Sequence, residues 1–317
     1  MLKTDRIAAI LDHIALNGSV DVTTVAADLQ VSQATLRRDL QALHEQGLVV
    51  RTHGGAVARG VDLELPLRYR EARHQPEKRS IGRLAAGLVP SGAVVGMTGG
   101  TTVTEVARAL TSRADITVVT NALNIAAELV LRPSLRMVVV GGTARHASYE
   151  LVGPAAEAMV ERYHLDLSFI GVDGLSVEEG GSTHDELEAH TDHAFILRSR
   201  RAVVVTDSTK LGRVTFARIC RIDEVSDLVT DERADPAVLD QFRDAGVNVL
   251  VAAAESPGQG DTESPGQGGA ESPGQGDTES PGQGGAESPG QGGAESPGQT
   301  AGRASARRAR TQLRTSA

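Results

Sequence analysis

Apolar residues near the start of the chain recur at helical spacing. Between Thr4 and Leu16, Ile7, Ile10, Leu11 and Ile14 fall on one face of a helix. Val20-Asp21-Val22 then reads as a short extended segment, after which Thr23 is placed to cap a helix from Thr24 to Gln30. A third helix comes soon after. Ser32 is a good N-cap, its hydroxyl able to accept a first-turn N–H, and Leu36, Leu40 and Leu43 form an apolar stripe behind it. The other face carries Gln33, Thr35, Arg37, Arg38 and Gln41, residue types that hydrogen-bond base edges or neutralise phosphates along a major groove. Gly47 ends this helix, Leu48 to Arg51 suits a short strand, and Thr52-His53-Gly54-Gly55 suits a tight turn. Taken alone, the third helix is equally an amphipathic surface helix with a solvated charged face. Two short helices joined by a tight turn, with a β-wing beside the second, predict a winged helix-turn-helix.

From Arg59 to Gln75 the periodicity is lost and charges accumulate, with Pro66 and Pro76 as punctuation, so residues 59–76 read as a linker between residues 1–58 and a second domain. Short Val-rich runs then alternate with helical patterns. Strands are expected at Ala93 to Met97, Ile116 to Thr120, Leu135 to Val140, Leu167 to Ile170, Ala202 to Thr206, Asp227 to Thr230 and Val247 to Val251. Helices are expected at Glu77 to Leu88, Thr101 to Leu110, Ala122 to Leu131, Ala155 to Tyr163, Asp185 to Arg200 and Pro236 to Ala245. This alternation predicts an α/β domain over residues 77–251 with a mostly parallel sheet covered on both faces. After it the pattern changes abruptly. An eight-residue unit beginning Glu-Ser-Pro-Gly-Gln starts at Glu255, Glu263, Glu271, Glu279, Glu287 and Glu295. With no apolar side chain larger than alanine it cannot bury a core, so residues 252–317 are expected to be a disordered acidic repeat with a basic end. That end carries Arg303, Arg307, Arg308, Arg310 and Arg314, which either meet DNA phosphates or fold back on the acidic repeats.

Composition narrows the class. The chain has 317 residues and a net charge of −9, which argues against indiscriminate nucleic-acid binding. Residues 1–60 carry six Lys or Arg and six Asp or Glu, so any DNA contact rests on a few placed arginines. Two such modules acting together across paired half-sites are expected, hence a homo-oligomer. No apolar run approaches a membrane span and no signal-peptide core follows Met1, so the expected location is the cytoplasm with no membrane partner. The single cysteine, Cys220, lies in an apolar stretch and is expected to be a buried thiol. No zinc-type ligand set is visible, no Gly-x-Gly-x-x-Gly follows a strand, and no Walker-type loop is present. Neither a metal nor a cofactor is expected.

In a parallel sheet the ligand sits beyond the carboxyl ends of the strands. The residues there are consistent with an anion site. Thr98-Gly99-Gly100-Thr101-Thr102 opens a helix after the first strand, where backbone N–H groups and hydroxyls can hold a phosphate. Thr120-Asn121 and Gly141-Gly142, with Arg145 close behind, follow the next two strands. Gly171-Val172-Asp173-Gly174 and Asp207-Ser208-Thr209-Lys210 end later ones. Glycines permit close approach, Asp173 suits sugar hydroxyls, and Arg145 or Lys210 suits an anion. Each element alone is an ordinary turn or cap; their joint placement favours one shared site.

The stretch VSQATLRRDLQALHEQGLVVRTHGGA, residues 31–56, resembles the N-terminal signature of DeoR-family transcriptional regulators. The resemblance implies that Ser32, Gln33, Thr35, Arg37 and Arg38 lie at the DNA, with Arg51 and His53 contributing from the wing. For each arginine the competing role is a salt bridge to Asp39 or Glu45. The likeness extends over about residues 3–251, through Lys78, Gly99-Gly100-Thr101-Thr102, Thr120-Asn121, Gly141-Gly142, Gly171-Val172-Asp173-Gly174, Thr183, Glu188-Ala189 and Asp207-Ser208 with Lys210. That half is similar to the family's effector domain, whose fold is akin to ribose-phosphate isomerase and glucosamine-phosphate deaminase. The resemblance implies an operator-binding repressor controlled by a phosphorylated sugar or related phospho-metabolite. Two positions depart from the family pattern: Thr98 stands where an acidic residue is common, and Asp192 where a basic one is usual. The alternative is an isomerase- or deaminase-like enzyme fused to a DNA-binding domain, with Asp173 and Glu186 as a proton-transfer pair. In its favour is little: Leu175, not histidine, follows Gly174, and His184 and His190 read as surface residues. No catalytic residue is assigned.

Overall fold

The structure, a computed structural model, describes residues 3–58, 65–71 and 73–254. Its first part comprises α1 (Lys3–Asn17), β1 (Ser19–Asp21), α2 (Val22–Asp28), α3 (Gln33–Glu45), β2 (Val49–Arg51) and β3 (Gly55–Ala58). The expected stripes build its core: Ile7, Ile10, Leu11 and Ile14 of α1 meet Leu36, Leu40 and Leu43 of α3, all buried. Removing those side chains from water is what holds helices this short, each large aliphatic contributing roughly 1.5–3 kcal/mol. The strands pair antiparallel in the order β1-β3-β2, which is the wing. One cap differs from expectation. Asp21, not Thr23, starts α2, its Oδ1 accepting from the Thr23 and Thr24 N–H groups at 2.9 Å each. A carboxylate is a stronger acceptor than a hydroxyl and adds its charge to the positive helix end.

The segment with the sequence character of an aperiodic linker carries structure where it is described. Helix α4 (Leu67–Arg70) lies there, with Leu65, Leu67 and Tyr69 buried. Leu65 and Tyr69 join the core of α1 to α3. Residues 59–64 and 72, also within the expected linker, lie outside the described residues. So does the repeat tail from residue 255, where disorder is expected.

The second part comprises α5 (Gln75–Ala86), β4 (Val94–Met97), α6 (Thr101–Ala109), β5 (Thr117–Thr120), α7 (Leu123–Leu129), β6 (Arg136–Val139), β7 (Thr143–Arg145), β8 (Glu150–Val152), α8 (Pro154–Val160), β9 (Leu167–Ile170), β10 (Gly174–Ser176), β11 (Gly180–Thr183), α9 (Glu186–Leu197), β12 (Ala202–Val205), β13 (Ala217–Cys220), β14 (Asp227–Asp231), α10 (Pro236–Asp244) and β15 (Asn248–Ala252). The seven expected strands form one sheet, order β15-β14-β12-β9-β4-β5-β6, with every pair parallel. Alternate residues face opposite ways, as a pleated strand requires. Phe169, Val203 and Val205 enter the core under α5, α6 and α7, whereas Ile170 and Val204 enter the core under α8, α9 and α10. The chain runs outward from β4 to β6, then from β9 to β15 in the other direction. Strand order therefore reverses between β4 and β9, in the middle of the sheet.

Two smaller pieces go beyond the expected elements. A β7–β8 hairpin and an antiparallel sheet β10-β11-β13 stand at the carboxyl end of the main sheet. Their strands are three or four residues long and include Gly180-Gly181, so no apolar alternation marks them. Cys220, in β13, is a buried thiol as expected, and burial pushes its pKa up to about 11. Among the described residues no helix is long and apolar enough to cross a membrane.

Candidate functional site

Helix α3 presents one polar face outward. Ser32 caps it, accepting the Thr35 N–H at 3.1 Å, and its hydroxyl also meets the Thr35 hydroxyl at 2.8 Å. These two residues hold the helix start, so their hydroxyls are already engaged. Gln33, Arg37 and Arg38 are exposed, and Arg37 donates to Gln33 within its helix at 3.3 Å. Asp39, the competing partner for those arginines, is buried and taken by Arg6 at 2.5 Å. Glu45 accepts from Gln41 at 2.9 Å, and Gln41 in turn accepts from Arg51 at 2.9 Å. That link ties the wing strand β2 to α3, with His53 exposed at the wing turn. The exposed face is thus two solvent-facing arginines and an amide on a rigid helix, beside a turn carrying an imidazole.

A cavity of about 1100 Å³ lies beyond the carboxyl ends of β4, β9 and β12, the centre of the sheet at the reversal of strand order. Gly99, Gly100, Thr101 and Thr102 line it after β4, Asp173 after β9, Lys210 after β12, and Thr183 at the end of β11. Gly100 takes φ +107°, so a residue with a side chain is strained there. The first-turn N–H groups of α6 have no partner within the helix and open toward an anion.

Asp173 is the electrostatic centre. Arg70 donates to its Oδ1 at 2.7 Å, Lys210 reaches the same oxygen at 3.4 Å, and the Thr183 hydroxyl oxygen lies 3.3 Å from Oδ2. Burial works against its charge, but Arg70, Lys210 and His184 outweigh that and hold the carboxyl well below the usual range. His184, expected at the surface, is half-buried and faces Asp173 at 3.9 Å. Lys78 is buried and donates to the Arg70 carbonyl at 2.8 Å. Burial lowers its pKa to about 8, with Asp207 acting in the opposite sense.

An acidic cluster adjoins these groups. Glu150 accepts from the Gly99 N–H at 2.7 Å and from Asn121 at 3.2 Å. Glu188 accepts from Thr183 at 2.5 Å and from Arg145 at 2.9 Å. Asp192 is buried beside them, and its Oδ1 has no hydrogen-bond partner among the described residues. Burial raises the pKa of Glu150, with the nearby Glu188 adding to it; burial, Glu150 and Glu188 raise that of Asp192.

Six expected residues do not line the cavity. Thr120 and Asn121 end β5, and Gly141 and Gly142 follow β6, two and three strands from β9. At about 4.8 Å per strand, the end of β6 stands about 14 Å from that of β9. Asn121 instead holds Glu150 from behind, and the Thr120 hydroxyl accepts the Ala122 N–H. Arg145 braces Glu188 and Asp185. Gly174 packs where an added Cβ would lie 2.6 Å from the Arg213 carbonyl oxygen. Glu186, the carboxylate expected to work with Asp173, is exposed on the first turn of α9 and does not line the cavity. Sequence reasoning does not find Arg70, Arg73 and His74, which enter from the expected linker, or Glu150, which a three-residue strand delivers. One local signal marks the first group: three basic residues close together before Pro76, on a segment otherwise lacking pattern.

The family model for the DeoR-like helix-turn-helix domain matches residues 6–59, and that for the DeoR C terminal sensor domain matches residues 73–232. The HTH-type transcriptional regulator GlpR of Haloferax volcanii is 34% identical over 255 residues, covering 80% of this chain and 100% of its own. The HTH-type transcriptional repressor GlcR of Bacillus subtilis is 32% identical over 252 residues, covering 79% and 97%. The glycerol-3-phosphate regulon repressor of Escherichia coli is 30% identical over 244 residues, covering 77% and 97%. Among solved structures, ribose 5-phosphate isomerase A of Neisseria gonorrhoeae aligns with a TM-score of 0.32 at 18% identity, over 42% of this chain and 52% of its own.

Proposed function

The chain belongs to the DeoR family of transcriptional regulators, and on that premise we propose that it is an operator-binding repressor switched by a small phosphorylated effector. Residues 1–58 are its DNA reader and residues 77–251 its sensor. Gln33, Arg37 and Arg38 meet base edges and phosphates, with Arg51 and His53 contributing from the wing, and Ser32 and Thr35 fix the helix start. Two copies of the chain bind paired half-sites in the cytoplasm. The effector's phosphate is held by the first turn of α6, with Lys78 and Lys210 beside it, and its hydroxyls meet Asp173 and Thr183. A relative named for the glycerol-3-phosphate regulon is in keeping with a phospho-metabolite.

One observation carries this reading. Arg70, which donates to Asp173 inside the cavity, is the last residue of α4. The two residues before it, Arg68 and Tyr69, both donate to Gln46, the C-cap of α3, at 2.7 and 2.8 Å. A single turn of helix thus connects the cavity to the end of the DNA-reading helix. An effector whose hydroxyls compete for Asp173 displaces Arg70, shifts α4, and changes how α3 is held. A factor of about 10 to 100 in operator affinity needs only about 1.4 to 2.8 kcal/mol of such coupling.

The test is a fluorescence-anisotropy titration of the full chain on its own promoter region, with sugar phosphates and the corresponding free sugars added. Release by a phosphorylated compound and not by its free sugar is the expected result. Specific DNA binding that no phosphorylated compound alters would remove the sensor half of the proposal.

A further inference from the structure

The cavity's lining carries both signs of charge, and two of its acids lack counter-charge. On the cationic side every acid has a partner: Asp173 has Arg70 and Lys210, and Asp207 lies near Lys78 and Lys210. On the acidic side Glu188 has Arg145 at 2.9 Å. Glu150 and Asp192 have no ion-pair partner among the described residues, although both are buried, at 2% exposure each. The hydrogen bonds to Glu150 come from a neutral backbone N–H and a neutral amide. Asp192 lines the same cavity, and its Oδ1 accepts nothing.

Two facing buried carboxyls without a cation share a proton, since like charges at contact cannot both ionise in a poorly solvated place. An orphaned buried acceptor is itself costly. Burying acids with no cation supplied by the fold suits a cation supplied by the ligand. A metal ion does not suit the wall, because no group of three or more His, Cys, Asp or Glu among the described residues is arranged to hold one. An ammonium group does: it brings one positive charge and three donors, matching two carboxyls with an unfilled acceptor. The cationic wall meanwhile calls for an anion on the same molecule.

We infer that the cavity takes a small phosphorylated amine, such as an amino sugar phosphate, with its primary ammonium seated against Glu150 and Asp192 and its phosphate against the α6 turn. This rests on the effector site proposed above and narrows its ligand. On binding, the ammonium replaces the shared proton, which leaves to solvent, so charge at the wall is unchanged. Glu150 and Asp192 are then specificity-determining residues, and Asn121 and Gly99 hold Glu150 in position.

Isothermal titration calorimetry on the full chain at pH 7.5, in phosphate-free buffers, decides this. Two matched pairs serve as probes: glucosamine 6-phosphate against glucose 6-phosphate, and phosphoethanolamine against 2-hydroxyethyl phosphate, with free glucosamine as the unphosphorylated control. In at least one pair the amine should bind about tenfold tighter or better than its hydroxyl counterpart, as a charge-assisted contact to a buried acid predicts. Relative to its hydroxyl counterpart the amine should release about one additional proton, read from the dependence of the heat on the buffer's ionisation enthalpy. Glu150→Gln and Asp192→Asn should each bring the affinity ratio of amine to hydroxyl counterpart to about one and abolish the extra proton release. Because the preference is read on the unmodified chain, a variant that fails to fold does not spoil the test. Hydroxyl phosphates binding as tightly as the amines would overturn the ammonium inference and leave the effector reading intact. If no phosphorylated probe binds better than free glucosamine, the effector reading falls and this inference falls with it.

Discussion

Lys78 illustrates how one residue's surroundings set its chemistry. A lysine in α5 is expected to be solvated, yet here it is buried beneath α4, donating to the Arg70 carbonyl. Burial lowers its pKa to about 8. A basic group whose pKa is depressed by folding loses its charge as pH rises through that lower value, so the empty cavity loses one cation above about pH 8. A bound phosphate restores the charge and must then recruit a proton. Effector affinity should fall by about tenfold between pH 7 and pH 9, by linkage of about one proton. Lys78→Met should flatten that profile as well as weaken binding, and an unchanged slope in the variant would assign the titration elsewhere. Lys78 is visible in the sequence as part of the family pattern, but its burial is not. Burial depends on α4 lying across it, and nothing in residues 65–70 alternates in a way that announces a packed helix. Glu150 is hidden for a similar reason: a three-residue strand offers too few positions for a period to be read.

Elements divide between those that carry their own pattern and those that do not. Helix α3 carries its own. Its apolar stripe is buried and its arginines stand clear of Asp39 and Glu45, so Arg37→Ala and Arg38→Ala should each weaken operator binding by about 1–3 kcal/mol where they read a base, or less and uniformly where they meet phosphate. Titration on the native operator and on single-base variants separates the two roles; full affinity in both variants would move the reading face off α3. Helix α4 has no such pattern. It is four residues long, too short to be stable by itself, and is held by what its side chains reach on either side. Arg70→Met should therefore lower operator affinity about tenfold without any effector, and blunt the response when effector is added. A variant with normal affinity and normal release would show that α4 does not couple the cavity to α3. His74, at the start of α5, takes φ +51°, a left-handed turn of about 1–2 kcal/mol for a residue with a side chain. That turn redirects the chain from α4 into α5 and places the imidazole at the cavity wall.

At the scale of the whole molecule, a reader with few exposed cations among its described residues would gain affinity by being used twice. With two copies on one operator, half-sites should lie about one helical turn or a whole multiple of it apart. Inserting about half a helical turn of DNA between them should weaken binding far more than inserting about one full turn of roughly 10 base pairs, as read by gel shift; equal effects would mean that the readers act singly. The seven parallel strands, the helices between them and the helix-turn-helix were all legible in the residue order, because each rests on a local period: about two for strands, near four for helices. The family likeness rests on the same local runs. What the order of residues left open was lateral position. Thr120, Asn121, Gly141 and Gly142 come after strands just as Gly99 and Asp173 do, yet only the sheet's order, with β9 inserted beside β4, decides which strand ends share a cavity. Likewise Arg70 and Asp173 are 103 residues apart in sequence and 2.7 Å apart in space. Hydrophobic period is written along the chain, so the sequence by itself determined the elements and the kind of protein they make. Proximity across the sheet is a sum over every packing contact at once, so only the tertiary structure decided which charges face one another, those of α4 and Asp173 and those of the acidic cluster among them.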